Sequence, residues 1–350
     1  MSKSWRDLCF DGQLWADVDL APFAAHLSAG TLRLIFNHTA PFINKLSLRN
    51  VGSLFSMDLL STLAAPTWQP VMLTLTTLDL RCCKLDHRAI TAIIQNAPRL
   101  RSINLKGAQA VNRDVLQCLA TSTKVLEWLD LSGCWHIDLE DVQAFIEELD
   151  DERAGKLRTL RLADIRSRSE ESLPANVLVS ICNRLSSLET LSLQGCRQLS
   201  SSVLIAAYEA LRFRSRTSTI RHLNVTGCKR LRSDILPAMT DLFPELRYLE
   251  MGGMPAFFQE NSQSDRTSFN RFLQSLPHLE RLDIEETAGT CIDDSTLKVL
   301  VTKSHLTHLQ IGFAWKITPE AMVNLIRGCQ SLKVLEADVS RSQSLRTCTN

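Results

Sequence analysis

Leu126-Glu127-Trp128-Leu129-Asp130-Leu131-Ser132-Gly133-Cys134 decides the architecture, because it returns twice with its apolar positions and its Gly-Cys pair intact. The second copy is Leu188-Glu189-Thr190-Leu191-Ser192-Leu193-Gln194-Gly195-Cys196. The third is Ile220-Arg221-His222-Leu223-Asn224-Val225-Thr226-Gly227-Cys228. Weaker copies of the same frame start at Ile43, Leu75, Leu100, Leu157, Leu246, Leu279, Leu306 and Leu332, which makes eleven starts spaced 25 to 33 residues apart. Within each copy the apolar residues three and five places after the first point the same way on a strand, since side chains alternate with period two. The residues between them face outward. At the eighth position Cys83, Cys134, Cys196 and Cys228 are small hydrophobes tucked under the turn.

The second half of each unit has the pattern of a helix. In Asp138-Leu139-Glu140-Asp141-Val142 acidic residues precede apolar ones at helical spacing, and Thr318-Pro319-Glu320 supplies a cap followed by proline in the first helical position. Pro41, Pro98, Pro244 and Pro277 stand two residues before the next strand's first apolar residue, where proline ends a helix and favours extended chain. Where the intervals lengthen, loops are expected at 165–172 and 257–268 between strand and helix, and at 149–156 and 212–219 between helix and strand.

The frame is the leucine-rich-repeat signature, in the variety that carries cysteine where many repeats carry asparagine. It predicts an α/β leucine-rich-repeat solenoid of about eleven repeats, a curved horseshoe with parallel strands on the concave face and helices on the convex face. A strand–helix unit cannot bury its apolar side alone, so neighbours must stack. The solenoid is expected over 41–340, after an N-terminal segment 1–40 and before a tail at 341–350.

With 39 basic and 38 acidic side chains the net charge is +1, which leaves no excess of cations to neutralise nucleic-acid phosphates. No run approaches 18 apolar residues, so no membrane span is expected, and the first residues lack the apolar core of a signal peptide. Eleven cysteines without a secretion signal point to free thiols in a reducing compartment, hence the cytoplasm, the nucleus or both. Catalytic and metal motifs with convincing spacing are missing from the sequence: no C-x-x-C, H-E-x-x-H, G-x-S-x-G or G-x-x-x-x-G-K-[ST] occurs. His305 and His308 lack accompanying zinc ligands. The expectation is a non-catalytic chain without cofactor or metal.

Ahead of the repeats, Trp5-Arg6-Asp7-Leu8-Cys9-Phe10-Asp11-Gly12-Gln13-Leu14-Trp15-Ala16-Asp17-Val18-Asp19-Leu20 resembles the closing part of an F-box. Joined to the cysteine-type repeats, it makes the chain similar to a fungal-style F-box/leucine-rich-repeat protein. The resemblance implies the substrate-recognition subunit of an SCF-type E3 ubiquitin ligase, active in ubiquitin-dependent protein catabolism. It implies a protein substrate, the SCF adaptor and the cullin scaffold as partners, with Trp5, Leu8, Leu14 and Trp15 as adaptor-binding residues and a monomer outside the complex. An F-box opens with a Leu-Pro motif and two helices, whereas this sequence starts almost inside the last helix. Truncation, loss of adaptor binding, or another surface in its place each fit that start. So does a covering role for Trp5, Leu14 and Trp15 at the solenoid's end, and the alternative function is a non-catalytic interaction scaffold without adaptor binding.

The outward strand positions form three columns. The first contains Trp128, His222, Tyr248, Arg281 and His308; the second contains Asp130, Asn224, Glu250, Asp283 and Glu336; the third contains Arg49, Arg81, Lys106, Glu285 and Asp338. Aromatic residues and arginine contribute disproportionately to interface energy. The expected substrate-binding residues are therefore Trp128, Asp130, His222, Tyr248, Glu250, Arg281, Asp283 and His308. Basic early copies and acidic late ones would orient a ligand along the repeats. Trp135 and Trp315, after the turn in two copies, are expected to pack over neighbouring turns.

Overall fold

The computed structural model describes residues 12–23, 42–50, 73–166, 174–212, 218–259, 262–287, 291–312, 316–340 and 343–348, together with 30, 31, 39 and 314. They fall into two compact units, Met1–Ile165 and Arg166–Asn350.

In the first unit the strands are β1 (Asp17–Asp19), β2 (Lys45–Ser47), β3 (Thr77–Asp79), β4 (Ser102–Asn104), β5 (Trp128–Asp130) and β6 (Thr159–Arg161). Each pairs in parallel with the next, without offset, so Val18, Leu46, Leu78, Ile103, Leu129 and Leu160 stand in one buried row. In the second unit β7 (Thr190–Ser192), β8 (His222–Asn224), β9 (Tyr248–Glu250), β10 (Arg281–Asp283), β11 (His308–Gly312) and β12 (Val334–Ser340) repeat that arrangement. The row there is Leu191, Leu223, Leu249, Leu282, Leu309 and Leu335. A last strand, β13 (Gln343–Cys348), runs antiparallel to β12 within the segment expected as a tail.

All eleven strands sit where the frame puts them. β1 is a twelfth parallel strand among the described residues. Trp15, Val18 and Leu20 reproduce the frame's spacing with tryptophan in the first place, and the Leu20 amide donates to the Ser47 carbonyl as the Leu48 amide does to Asp79.

Helices return the chain from one strand to the next, and local capping starts them. The Asp86, Asn112 and Asp138 side chains accept from the amides of Ala89, Val115 and Asp141 at the heads of His87–Gln95, Arg113–Ser122 and Leu139–Glu148. Thr318 does the same for Ala321 ahead of Pro319–Gly328.

Two features of the turn repeat. The seventh frame position is left-handed at Asn50, Cys82, Gly107, Gly133, Asp164, Gly195, Gly227, Gly253 and Glu286, with φ between 53° and 72°. Glycine takes this conformation without steric cost, which accounts for the Gly-Cys pair. The fourth-position carboxylate or amide of Asp19, Asp79, Asn104, Asp130, Asn224 and Asp283 accepts from the amide two residues on. Under the turn, the Cys134 and Cys228 thiols each donate to a carbonyl of the preceding repeat, Leu105 and Leu193, at 3.1 Å. Burial pushes the Cys134 thiol up to about 12 and that of Cys83 to about 11.

Three of the expected rim features differ. Residues 149–156 contain a one-turn helix, Asp151–Ala154, and Arg153 donates at 2.6 Å to the Ala120 carbonyl of the preceding repeat. Phe257 and Phe258 are buried, with ring centroids 4.8 Å apart and Phe258 lying 5.2 Å from Phe269 of the helix Gln263–Gln274. That stretch is apolar core before it becomes helix, because Phe257, Phe258, Phe269 and Phe272 bury more area together than they could on a rim. Trp135 does not pack over a turn: it is 80% exposed. Trp315 and most of 165–172 and 212–219 lie outside the described residues.

Candidate protein-binding face

Six of the eight expected substrate-binding residues come together on the second unit, across β8, β9, β10 and β11, on the side of the sheet turned away from the helices. Parallel pairing sets His222 beside Tyr248, Tyr248 beside Arg281, and Arg281 beside His308. The His222 ring meets Tyr248 edge-on with centroids 5.6 Å apart, and the Arg281 guanidinium lies 5.3 Å from the Tyr248 ring centroid. The Tyr248 hydroxyl donates to Glu280 at 2.9 Å, and Arg247 donates to the other oxygen of Glu280 at 2.8 Å. The bond to Glu280 raises the Tyr248 pKa. Burial would raise Glu280, but the bonds from Arg247 and Tyr248 outweigh it and hold the carboxylate below its ordinary range. The aromatic centre of the face is thus held by its own hydrogen bonds. His308 accepts or donates at Nδ1 to the Thr307 hydroxyl at 2.8 Å, and burial, then the charges of Arg281 and Lys333, lower its pKa.

One column further along the strands the chemistry inverts. Glu250 joins His222 Nε2 at 2.8 Å and accepts from the Asn224 amide group. Asp283 stands beside Glu250 in register. Burial first, then the carboxylates of Glu250 and Glu336, push the Asp283 pKa up in spite of its bond from the Glu285 amide. Gln310 donates to Glu336 at 2.8 Å. Two glycines let the carboxylates of this acidic strip lie close against the neighbouring strand. A Cβ at Gly312 would come within 2.6 Å of the Glu285 Cγ, and one at Gly252 within 3.3 Å of the Asp283 Oδ1. The Glu285 side chain therefore lies across a strand position that carries no side chain of its own.

The other two expected residues lie in the first unit. Trp128 is half-buried with the Arg161 guanidinium 5.6 Å from its ring centroid. Asp130 is withdrawn from the candidate surface: it is buried, and its Oδ1 accepts from the Ser132 amide at 2.9 Å. Asp283 makes the same bond to its turn, so it is burial that sets Asp130 apart. The expected basic end of the gradient is also corrected. Arg49 donates to Asp19 at 2.8 Å, and Arg81 grips Asp79 through two nitrogens at 2.7 and 3.0 Å, so these cations meet carboxylates of their own chain.

Of the residues expected to bind an adaptor, Leu14 is 62% exposed and Trp15 half-buried, whereas Trp5 and Leu8 lie outside the described residues. Among the described residues no group of three or more His, Cys, Asp or Glu could hold a metal ion, and no helix is long and apolar enough to cross a membrane.

The sequence reading missed Glu280, Arg247, Gly252, Gly312 and Arg161. A signal for the first pair existed. Opposite charges directly after the first apolar residue of neighbouring copies pair across strands at Arg101–Glu127, Arg221–Glu189 and Arg247–Glu280.

Residues 71–93 match the Leucine Rich repeat family. A chain of the yeast Rad7 and Elc1 complex superposes over 99% of this chain and 93% of its own, with a TM-score of 0.58 at 16% identity. The fold is an α/β leucine-rich-repeat solenoid. The leucine-rich-repeat protein LegL7 of Legionella pneumophila (TM-score 0.45, 12% identity, 87% and 86% of the two chains) is also similar. So is an internalin, InlF, of Listeria monocytogenes (TM-score 0.47, 15% identity, 95% and 97%). No curated protein matches the sequence.

Proposed function

We propose that this leucine-rich-repeat chain is a non-catalytic substrate receptor of an SCF-type ubiquitin ligase, acting in the cytoplasm or nucleus. The observation that carries the reading is the face on β8–β11, where an aromatic centre, an exposed arginine and a carboxylate strip lie side by side in strand register. Such a combination suits a polypeptide segment, since tyrosine and arginine supply anchoring energy while charges select register. The likeness to a chain of a complex that includes Elc1 supports a second protein partner of adaptor kind. Leu14 and Phe23 at β1 and Phe42 just before β2 expose apolar side chains on which an adaptor could rest. In that role the receptor forms no bonds. It holds a substrate and an adaptor at once, so that the substrate's lysines meet the charged ubiquitin at high effective concentration.

Co-purification tests the adaptor half. The full chain should capture an SCF-type adaptor, and the capture should weaken when Leu14 and Phe42 are replaced by serine. Repeated absence of the adaptor, with binding at the β8–β11 face retained, would instead assign the chain as an interaction scaffold.

A further inference from the structure

The charge on the second unit is divided along the strands, not along the repeats. At the strand starts Arg281 stands exposed over Tyr248, with His308 beside it in register. Burial lowers the His308 pKa, and the charges of Arg281 and Lys333 lower it further. Two residues on, Glu250 and Asp283 are register partners, and Glu336 is close enough to raise Asp283 further. Two residues beyond those, Glu285 extends the acidic end across Gly312. At about 3.3 Å per residue the first and third columns are roughly 13 Å apart. An extended peptide has the same rise, so charges that match both ends lie about two to four of its residues apart. The two ends of the face are complementary to a segment that carries both signs.

We propose that the open face of β8–β11 binds an extended polypeptide segment bearing an acidic and a basic side chain two to four residues apart, the acidic group at Arg281 and His308 and the basic group among Glu250, Asp283 and Glu285. This rests on the protein-binding reading of the same face and adds the chemistry of the occupant. Tyr248 lies between the two ends and supplies the apolar contact. Because both ends belong to one peptide, neutralising one end of the face removes the requirement for one peptide charge and leaves the other.

The probe is a phage-displayed library of random 12-residue peptides selected on the immobilised full chain at low salt. Arg281→Gln and Glu285→Gln serve as variants, both checked by circular dichroism and melting temperature. Enriched peptides should share an acidic and a basic residue at the stated spacing. Replacing the peptide's acidic residue by alanine should weaken binding to the native chain roughly tenfold and to Arg281→Gln less than twofold. Replacing its basic residue should show the same contrast with Glu285→Gln. Enriched peptides without such a pair, yet weakened by Tyr248→Ala, would overturn this inference while leaving the protein-binding reading intact. No enrichment, or peptides indifferent to both Tyr248→Ala and Arg281→Gln, would overturn both.

Discussion

Cys82 adopts φ 53° at the turn position where five other copies have glycine, and its sulfur is the nearest atom to the site a Cβ on Gly107 would occupy, at 3.2 Å. A side chain in the left-handed region costs about 1 kcal/mol or somewhat more. Cys82→Gly should therefore raise stability by about 1 kcal/mol in urea unfolding, less the entropy glycine adds to the unfolded chain; a loss of stability would contradict this account of the turn. Asp283 offers a pH test. Its folded pKa is raised above the usual 3.8, so its contribution to stability is fully present below pH 3.8 and is lost as pH rises through the folded value. Asp283→Asn keeps an oxygen for the Glu285 amide, as Asn104 and Asn224 do for Lys106 and Thr226, and removes the charge held near Glu250 and Glu336. The variant should be more stable than the native chain by about 0.5 kcal/mol at pH 7, with the difference vanishing as pH falls toward 3.8. A constant difference across that window would assign the effect elsewhere. At this scale the sequence was an incomplete guide. The period-two frame shows which way Asp130 leaves the backbone, but the hydrogen bond that turns its carboxylate back to Ser132 depends on the φ/ψ of the turn.

The elements are where the sequence is most legible. All eleven frames became strands because three apolar residues at fixed spacing can be buried together only in an extended chain, and stacking multiplies the constraint. β1 escaped notice because Trp15 occupies the first apolar place and the adjoining residues suggested a different motif. The helix starts were legible through their caps. At Leu139–Glu148 the Asp138 side chain accepts from the Asp141 amide at 2.8 Å, while Asp141 accepts from the Asp138 amide at 3.3 Å. Asp138→Ala should cost about 1 kcal/mol in thermal or urea unfolding. Asp138→Asn should retain most of it, and equal losses for both would show that the cap bond is not the source. The phenylalanines at 257 and 258 mark the limit of interval counting. A long interval says that residues have been added, whereas burial against Phe269 and Phe272 is decided by packing across the repeat.

At the scale of the molecule the chain is two compact units, divided between Ile165 and Arg166. A repeat frame is local and says nothing about where contacts thin out, so this division could not be read from spacing. It matters for function, because the expected binding residues separate with it. Trp128 belongs to the first unit with Arg161, while His222, Tyr248, Glu250, Arg281, Asp283 and His308 form one continuous face on the second. The gradient expected along the repeats dissolves once Arg49 and Arg81 are seen against Asp19 and Asp79, and a shorter one, across the strands, takes its place. That this face holds a protein segment is the central claim. It is tested most directly by the dissociation constant of the tightest peptide selected on the full chain, measured for the native protein and for the double variant Tyr248→Ala/Arg281→Ala with unchanged circular dichroism. Loss of the aromatic–arginine anchor predicts at least a tenfold weaker complex, about 1.4 kcal/mol or more. An unchanged constant in the folded double variant would contradict the account.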